Sequence, residues 1–424
     1  MPDVRPLRIA MLSAHSCPVG KLGTRDTGGM SVYVKELARE LGKLGHQVDV
    51  YTRVHDPADR VIYELGQNAR LIHLRAGEDE EIHKLAVYPH LPDFARRLED
   101  FRKGNDLHYD LVYSHYWLSA WVGKRLQKWW RAPHLAMFHT LGAVKNAVGV
   151  GAKEPELRVK TERSIISSCQ RIIAATEEEK EGLVRHYDAS AEKVRVIPCG
   201  VNLDMFRPID KIEAKNQLGL NGNKTIIFVG RIEPLKGIDR LMMAVGHLQN
   251  GCRPRLLIIG GGENSRHEIE RLRKLAGKLQ LRDAIDFLGL IKQSDLPLFY
   301  SAADVCVVPS YYESFGLVAL ESLACGTPVV ATKVGGAANI IRHAETGYLV
   351  KDNEPRRLAN KIKLALSRSD NGAHLAQVMR ASLAPFSWPN IAQTVARECL
   401  ALLADNATRT SQPAFRSRDC APVP

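Results

Sequence analysis

At 424 residues, with 45% hydrophobic and 25% charged side chains, the chain has globular composition and is long enough for two domains of roughly 200 residues each. No apolar run reaches the roughly 18 residues of a membrane span, and MPDVRPLRIAMLSAH lacks a secretory leader pattern, so a cytoplasmic protein without stable membrane insertion is expected. The net charge of +12 calls for an anionic partner, but it is dispersed and no nucleic-acid signature accompanies it, which favours a small anion over a nucleic acid.

The eight cysteines include no C-x-x-C pair and sit in apolar patterns, as buried free thiols do, so no zinc site is expected.

Residues 8–13 read as a first parallel strand. A loop with four glycines follows over residues 15–29. Residues 30–45 then read as an amphipathic helix and 46–52 as a second strand. A glycine loop at the carboxyl end of a first strand is where open α/β sheets bind ligands. Gly28 and Gly29 at the helix start would let a ligand approach backbone N–H groups and the positive helix end, although the pair also suits a tight turn.

Further strands are expected at 71–74, 110–114, 134–138, 171–175 and 194–197. Helices are expected at 91–101, 117–130, 156–168 and from Thr176, whose hydroxyl and following acids form an N-cap signature. Polar groups follow the strand ends at His15, His115-Tyr116 and His139-Thr140. The proline-bracketed stretch 198–208 marks the boundary between domains 1–203 and 204–385. A final helix, 386–405, is expected to pack back on the first domain, and 406–424 to be disordered.

The second half repeats the alternation. Strands are expected at 225–229, 255–259, 284–287, 305–308, 328–331 and 348–350. Helices are expected at 237–249, 264–279, 294–301, 316–324, 337–342 and 354–367. Two doubly wound α/β domains facing a cleft follow from this pattern.

Arg231 and Lys236 follow a strand and approach a helix start, the arrangement a departing diphosphate needs as charge grows on it. A surface ion pair of Arg231 with Glu233 is the plainer alternative. Gly260-Gly261-Gly262 permits another close approach. Glu313 and Glu321 are eight apart, one in a loop and one on a helix. That spacing suits separate hydrogen bonds to sugar hydroxyls and a ribose better than an acid/base pair. The N–H groups of Phe315, Gly316 and Leu317 would reach sugar or phosphate.

Taken together, Gly28-Gly29, Gly230-Arg231 with Lys236-Gly237, and Glu313 to Glu321 followed by ACGTPVVAT resemble the retaining glycosyltransferases of family 4, over roughly residues 8 to 400. The resemblance implies the GT-B fold, two Rossmann-like domains, and a UDP-sugar donor, UDP-N-acetylglucosamine or UDP-glucose. RDTGGMSVYV, YSHYWLS and HTLGAVKNA are similar to the branch acting on inositol 3-phosphate, apart from Ser31 for the usual asparagine and Lys21-Leu22 for Gln-Pro. The acceptor positions also resemble the branch acting on fructose 6-phosphate; a lipid or polysaccharide acceptor is a further alternative.

By that resemblance Lys84, Tyr116, Thr140 and Arg158 would hold an acceptor phosphate, and His15 and Asp26 to Ser31 the acceptor ring. Gly28, Gly29, Arg231, Lys236, the backbone near Ile291, Glu313 and Glu321 would hold the donor, and His139 would orient the transferred sugar. Catalysis would need no cofactor. Magnesium is compatible but not essential, a structural metal site at Tyr300, Ser301, Ala303 and Thr327 is conceivable, and a homodimer is left open. A UDP-sugar epimerase and a non-catalytic nucleotide-sugar binder are the competing readings.

Overall fold

The computed structural model describes residues 5–22, 27–80, 82–220, 222, 224–248, 254–262, 265–368 and 372–411. The first half forms an eight-stranded sheet from β1 (Arg8–Leu12), β2 (Gln47–Arg53), β3 (Ile62–Gly66), β4 (Ala69–Leu74), β5 (Leu111–His115), β6 (His134–Met137), β7 (Arg171–Ala174) and β8 (Val194–Val196). The spatial order is β3-β4-β2-β1-β5-β6-β7-β8. The second half forms a six-stranded sheet from β9 (Thr225–Val229), β10 (Arg255–Ile259), β11 (Ile285–Gly289), β12 (Val305–Val308), β13 (Val329–Thr332) and β14 (Gly347–Val350), ordered β11-β10-β9-β12-β13-β14.

Most strands are short apolar runs because helices cover both faces of the sheet interiors. β5, β12 and β13 are buried along their whole length. All pairings are parallel except β3 with β4. That antiparallel edge hairpin departs from the expected all-parallel sheet. Ile62 and Tyr63 of β3 are exposed, so the strand carries no buried apolar run to announce it.

Each sheet reverses its winding next to a central strand. In the first, β1 lies between β2 and β5; in the second, β9 lies between β10 and β12. Loops leaving the carboxyl ends of such strands diverge and leave a crevice. The residues after β1 and β5 are His15 and Tyr116; those after β9 and β12 are Gly230-Arg231 and the Pro309–Phe315 loop. The two crevices face one another.

The final helix, Trp388–Ser411, lies on the first half. Trp388 packs edge-on against Tyr33, and Arg171 of β7 pairs with Asp405 at 2.6 Å. A Cβ at Gly200 would stand 2.5 Å from the Trp388 ring, so only glycine lets the indole seat there. The helix continues six residues past Asp405, into the start of the expected disordered tail; residues 412–424 lie outside the described residues. Helices Gly142–Val148, Lys211–Gln217 and Gly372–Ser382 were not expected from the sequence. Among the described residues no helix is long and apolar enough to cross a membrane.

Candidate active site

A cleft of about 350 Å³ lies where the crevices meet. Its walls include His15, Gly28, Gly29, Lys84, Tyr116, His139 and Thr140 from the first half, and Arg231, Lys236, Ile291, Glu313, Phe315, Gly316 and Leu317 from the second. Most of the residues singled out in the sequence therefore converge, although they span some 300 positions.

On the wall contributed by the second half, Lys236 ends a 3-10 turn, Pro234–Lys236, and Gly237 follows at φ +64°. A Cβ at Gly237 would stand 2.2 Å from the Pro309 carbonyl oxygen, so glycine is needed both for the left-handed turn and for the close approach to the β12 loop. The approach brings Lys236 Nζ 2.7 Å from Glu313 Oε2, which also accepts from Ser310 Oγ at 3.2 Å. Arg231 is half exposed and pairs with Glu233 at 3.0 Å, the plainer arrangement that the sequence had allowed. Gly316, at φ +112°, caps helix Leu317–Ala324 and leaves the first N–H groups of that helix at the cleft.

On the wall contributed by the first half, the acceptor side in the reading proposed below, β5 and β6 end alike. Each is followed by a non-glycine residue in the left-handed region, Tyr116 at φ +72° and His139 at φ +60°. Thr140 N donates to the Phe138 carbonyl at 2.7 Å, closing a three-residue turn around His139. Backbone of this kind costs on the order of 1–3 kcal/mol per residue and persists where packing holds it, commonly at functional sites. His15 stacks on Tyr116 with ring centroids 4.4 Å apart. Burial, reinforced by Lys84, holds the His15 imidazole well below the usual range, hence neutral.

Three sequence-based assignments do not reach the cleft wall, and a fourth falls outside the described residues. Arg158 is buried beneath Tyr116, its guanidinium 4.8 Å from the ring centre. Its Nε donates to Glu162 Oε1 at 2.7 Å, its Nη2 to the Thr140 carbonyl and hydroxyl at 2.6 and 2.9 Å, and Glu154 pairs with it at 2.9 Å. Two carboxylates draw the cation inward, so it supports Thr140 and Tyr116 from behind. Ser31 points into the core, 2.5 Å from Ser16 Oγ. Glu321 is buried, accepts from Tyr300 Oη at 2.9 Å, and is pushed up to about 7 by burial. Asp26 lies outside the described residues.

The residues named for a structural metal form a hydrogen-bonded knot: Thr327 Oγ1 donates to the Tyr300 carbonyl at 2.5 Å, and Ser301 Oγ accepts from Ile209 N at 3.1 Å. Among the described residues no group of three or more His, Cys, Asp or Glu side chains is placed to hold a metal ion.

Tyr312 was missed, although it stands in the PSYYES stretch that drew attention to Glu313. It lines the cleft and hydrogen-bonds the Leu141 backbone across it, while Gly335 N donates to Glu178 Oε2 at 3.0 Å, a second tie between the halves. Its phenol is raised by burial. Its position between Ser310 and Glu313 was the available signal.

The family model for Glycosyltransferase Family 4 matches residues 27–205, and that for Glycosyl transferases group 1 matches residues 210–381. The chain belongs to the family 4 glycosyltransferases and has their GT-B architecture. It is 42% identical over 369 residues to a D-inositol 3-phosphate glycosyltransferase of Streptomyces bingchenggensis, covering 84% of this chain and 81% of that one. A second protein of that name, from Streptomyces scabiei, is 38% identical, covering 95% of this chain and 93% of the other. Among solved structures, a sucrose-phosphate synthase from Thermosynechococcus elongatus superposes with a TM-score of 0.85 at 35% identity, over 94% of this chain and all of the other.

Proposed function

We propose that the protein is a retaining glycosyltransferase that moves a sugar from a UDP-sugar to a phosphorylated polyol, inositol 3-phosphate foremost. The observation that carries this reading is that cations stand on both sides of one cleft: Arg231 and Lys236, each paired with a glutamate that a diphosphate would have to displace, opposite Lys84, with Tyr116 and Thr140 beside it. One wall suits a diphosphate and the other a phosphomonoester, and in this reading the transferred sugar and the acceptor ring would meet between them. The names of the Streptomyces relatives support the choice of acceptor.

In this reading the bond from the anomeric carbon to the diphosphate oxygen breaks as the acceptor oxygen attacks from the same face. The acceptor proton passes to the departing phosphate oxygen. Arg231 and Lys236 stabilise the charge that grows there. The cleft-lining carboxylates among the described residues are Glu233 and Glu313, and both are engaged with those cations. That argues against a carboxylate nucleophile and for direct front-face transfer. No step is assigned to a metal.

The test is a UDP-release screen of UDP-N-acetylglucosamine and UDP-glucose against inositol 3-phosphate, fructose 6-phosphate and a lipid acceptor, with the anomeric configuration of product read by NMR. Release that depends on inositol 3-phosphate and yields a retained anomer is expected. Equal release without acceptor would sink the reading. The likeness to sucrose-phosphate synthase favours fructose 6-phosphate as the second reading, and the same screen separates the two.

A further inference from the structure

A second concave site lies on the outer face of the first half, apart from the cleft. It is a groove of about 380 Å³ between helices Tyr116–Trp130 and Glu156–Ser168, with Tyr88 also in its lining. Lys124, Arg125, Lys128 and Lys160 line it, with Trp121, Thr161 and Ser164. The first three cations stand at positions i, i+1 and i+4 of one helix, which carries no acidic residue. Lys160 pairs with Glu156 at 2.8 Å. Among the described residues no carboxylate pairs with Lys124, Arg125 or Lys128, so the groove keeps a surplus of three positive charges.

The groove is also ordered. Lys124 Nζ donates to the Ser164 carbonyl and hydroxyl at 3.0 and 2.7 Å, which fixes it between the helices. The Arg125 guanidinium lies 4.0 Å above the centre of the Trp121 ring. Long cationic side chains lose considerable freedom when an anion binds them, and holding two of them in place beforehand reduces that cost. A concave basic site with anchored cations suits a compact, multiply charged anion, and phosphate groups match Arg and Lys donors best.

We infer that this groove is a second phosphoanion site, independent of donor and acceptor. The phosphate it takes belongs either to a soluble phosphorylated compound or to the headgroup of an anionic lipid. Tyr88 joins it to the cleft: its ring stacks on Trp117 at 5.5 Å, next to Tyr116 of the acceptor wall. An occupant therefore rests on the same helix that presents Tyr116.

Titration with inorganic pyrophosphate tests this, using wild type, the double variant Arg125→Glu/Lys128→Glu, and the cleft variant Lys84→Ala/Arg231→Ala/Lys236→Ala, which removes cations from both cleft walls. Arg125 and Lys128 are exposed, so the groove variant is expected to fold, and an unchanged melting temperature checks that. The cleft variant should retain one binding event, and the groove variant should lose that event by about tenfold or more in Kd, roughly 1.4 kcal/mol. Sedimentation with phosphatidylglycerol vesicles, but not phosphatidylcholine vesicles, that the groove variant abolishes would assign the phosphate to a lipid headgroup. Pyrophosphate binding without sedimentation would assign it to a soluble compound. Unaltered binding of both probes by the groove variant, or no event in the cleft variant, overturns the inference.

Discussion

His115 Nδ1 and His139 Nε2 lie 3.0 Å apart at the floor of the acceptor-side wall. One ring donates to the other, so their tautomers are linked. Burial holds both imidazoles down, His139 to about 3, which leaves the pair uncharged across the physiological range. Tyr33 meets His139 edge-on at 5.2 Å and completes its packing. His139 therefore presents a neutral, oriented ring to the cleft, and in the proposed mechanism it would act by hydrogen bonding and placement, not by positive charge.

His139→Ala is expected to lower kcat by about 10²-fold, the scale for one well-placed polar contact at the reacting centre. Because His139 titrates far below neutrality, its loss should leave the shape of the kcat profile between pH 6 and 8 unchanged. A profile that loses a limb in the variant would show that His139 ionises during turnover and would contradict the neutral role.

In the proposed mechanism Lys236 has to release Glu313 to reach the donor, since the two are joined at 2.7 Å. Lys236→Ala is expected to lower kcat/KM by about 10²-fold or more through loss of stabilisation of the leaving diphosphate. Glu313→Gln separates two roles. If Glu313 only positions Lys236, the glutamine variant should recover most activity; if it also binds the transferred sugar, KM for the donor should rise. A Lys236→Ala enzyme with wild-type kcat/KM would remove the leaving-group assignment.

The alternation of strands and helices was legible because strands buried on both faces read as unbroken apolar runs. β9, β10 and β12 coincide residue for residue with the expected segments. The edge strand β3 was not legible, because its side chains face water and its role comes only from pairing with β4. In the site, the type of each residue was readable but not its direction. Arg158 was assigned by resemblance to an acceptor phosphate, together with Lys84, Tyr116 and Thr140. It turns inward because Glu154 and Glu162 flank it one helical turn away on either side, and that pairing competes with a ligand. Glu321 lies on the inner face of its helix, a phase that the eight-residue spacing to Glu313 does not reveal.

Gly28 tests whether the glycine pair serves the ligand or the fold. A Cβ there would meet nothing within 4 Å, and the residue faces the cleft. Gly28→Ala should therefore leave the melting temperature within about 2 °C of wild type, a change of under roughly 1 kcal/mol. Transfer should still fall by about tenfold or more, because a methyl group would hold the ligand away from the backbone. Full activity in a stable Gly28→Ala protein would assign the pair to the turn alone.

Glu162 anchors the acceptor wall from behind. It is fully buried, accepts from Arg158 Nε and from Gly142 N at 3.0 Å, and also accepts from Tyr187 Oη. Glu162→Ala would leave the Arg158 cation buried without that partner, at a cost of about 3–5 kcal/mol measured by denaturant unfolding. Glu162→Gln keeps the shape and should cost less. Replacing both members, Arg158→Met with Glu162→Leu, should recover much of the stability while weakening acceptor binding. A fully stable Glu162→Ala protein would mean that water reaches the cluster.

Stability should rise with pH between about 5 and 7. Burial lowers the imidazoles of His15, His46, His55, His115, His134 and His139, with His55 at about 4 and His134 and His139 at about 3. In the unfolded chain they take up protons near 6.5, so that chain binds more protons in this window and gains as pH falls. Glu179 and Glu321 act in the opposite sense: burial raises both to about 7, and their folded-state advantage is lost as pH rises from the ordinary carboxylate range through 7. Six imidazoles oppose two carboxyls, and protonation also adds to a net charge of +12, which increases self-repulsion in the compact state. A melting temperature several degrees higher at pH 7 than at pH 5 is expected. The reverse order would mean that the two carboxyls dominate, and Glu179→Gln should then remove much of the effect.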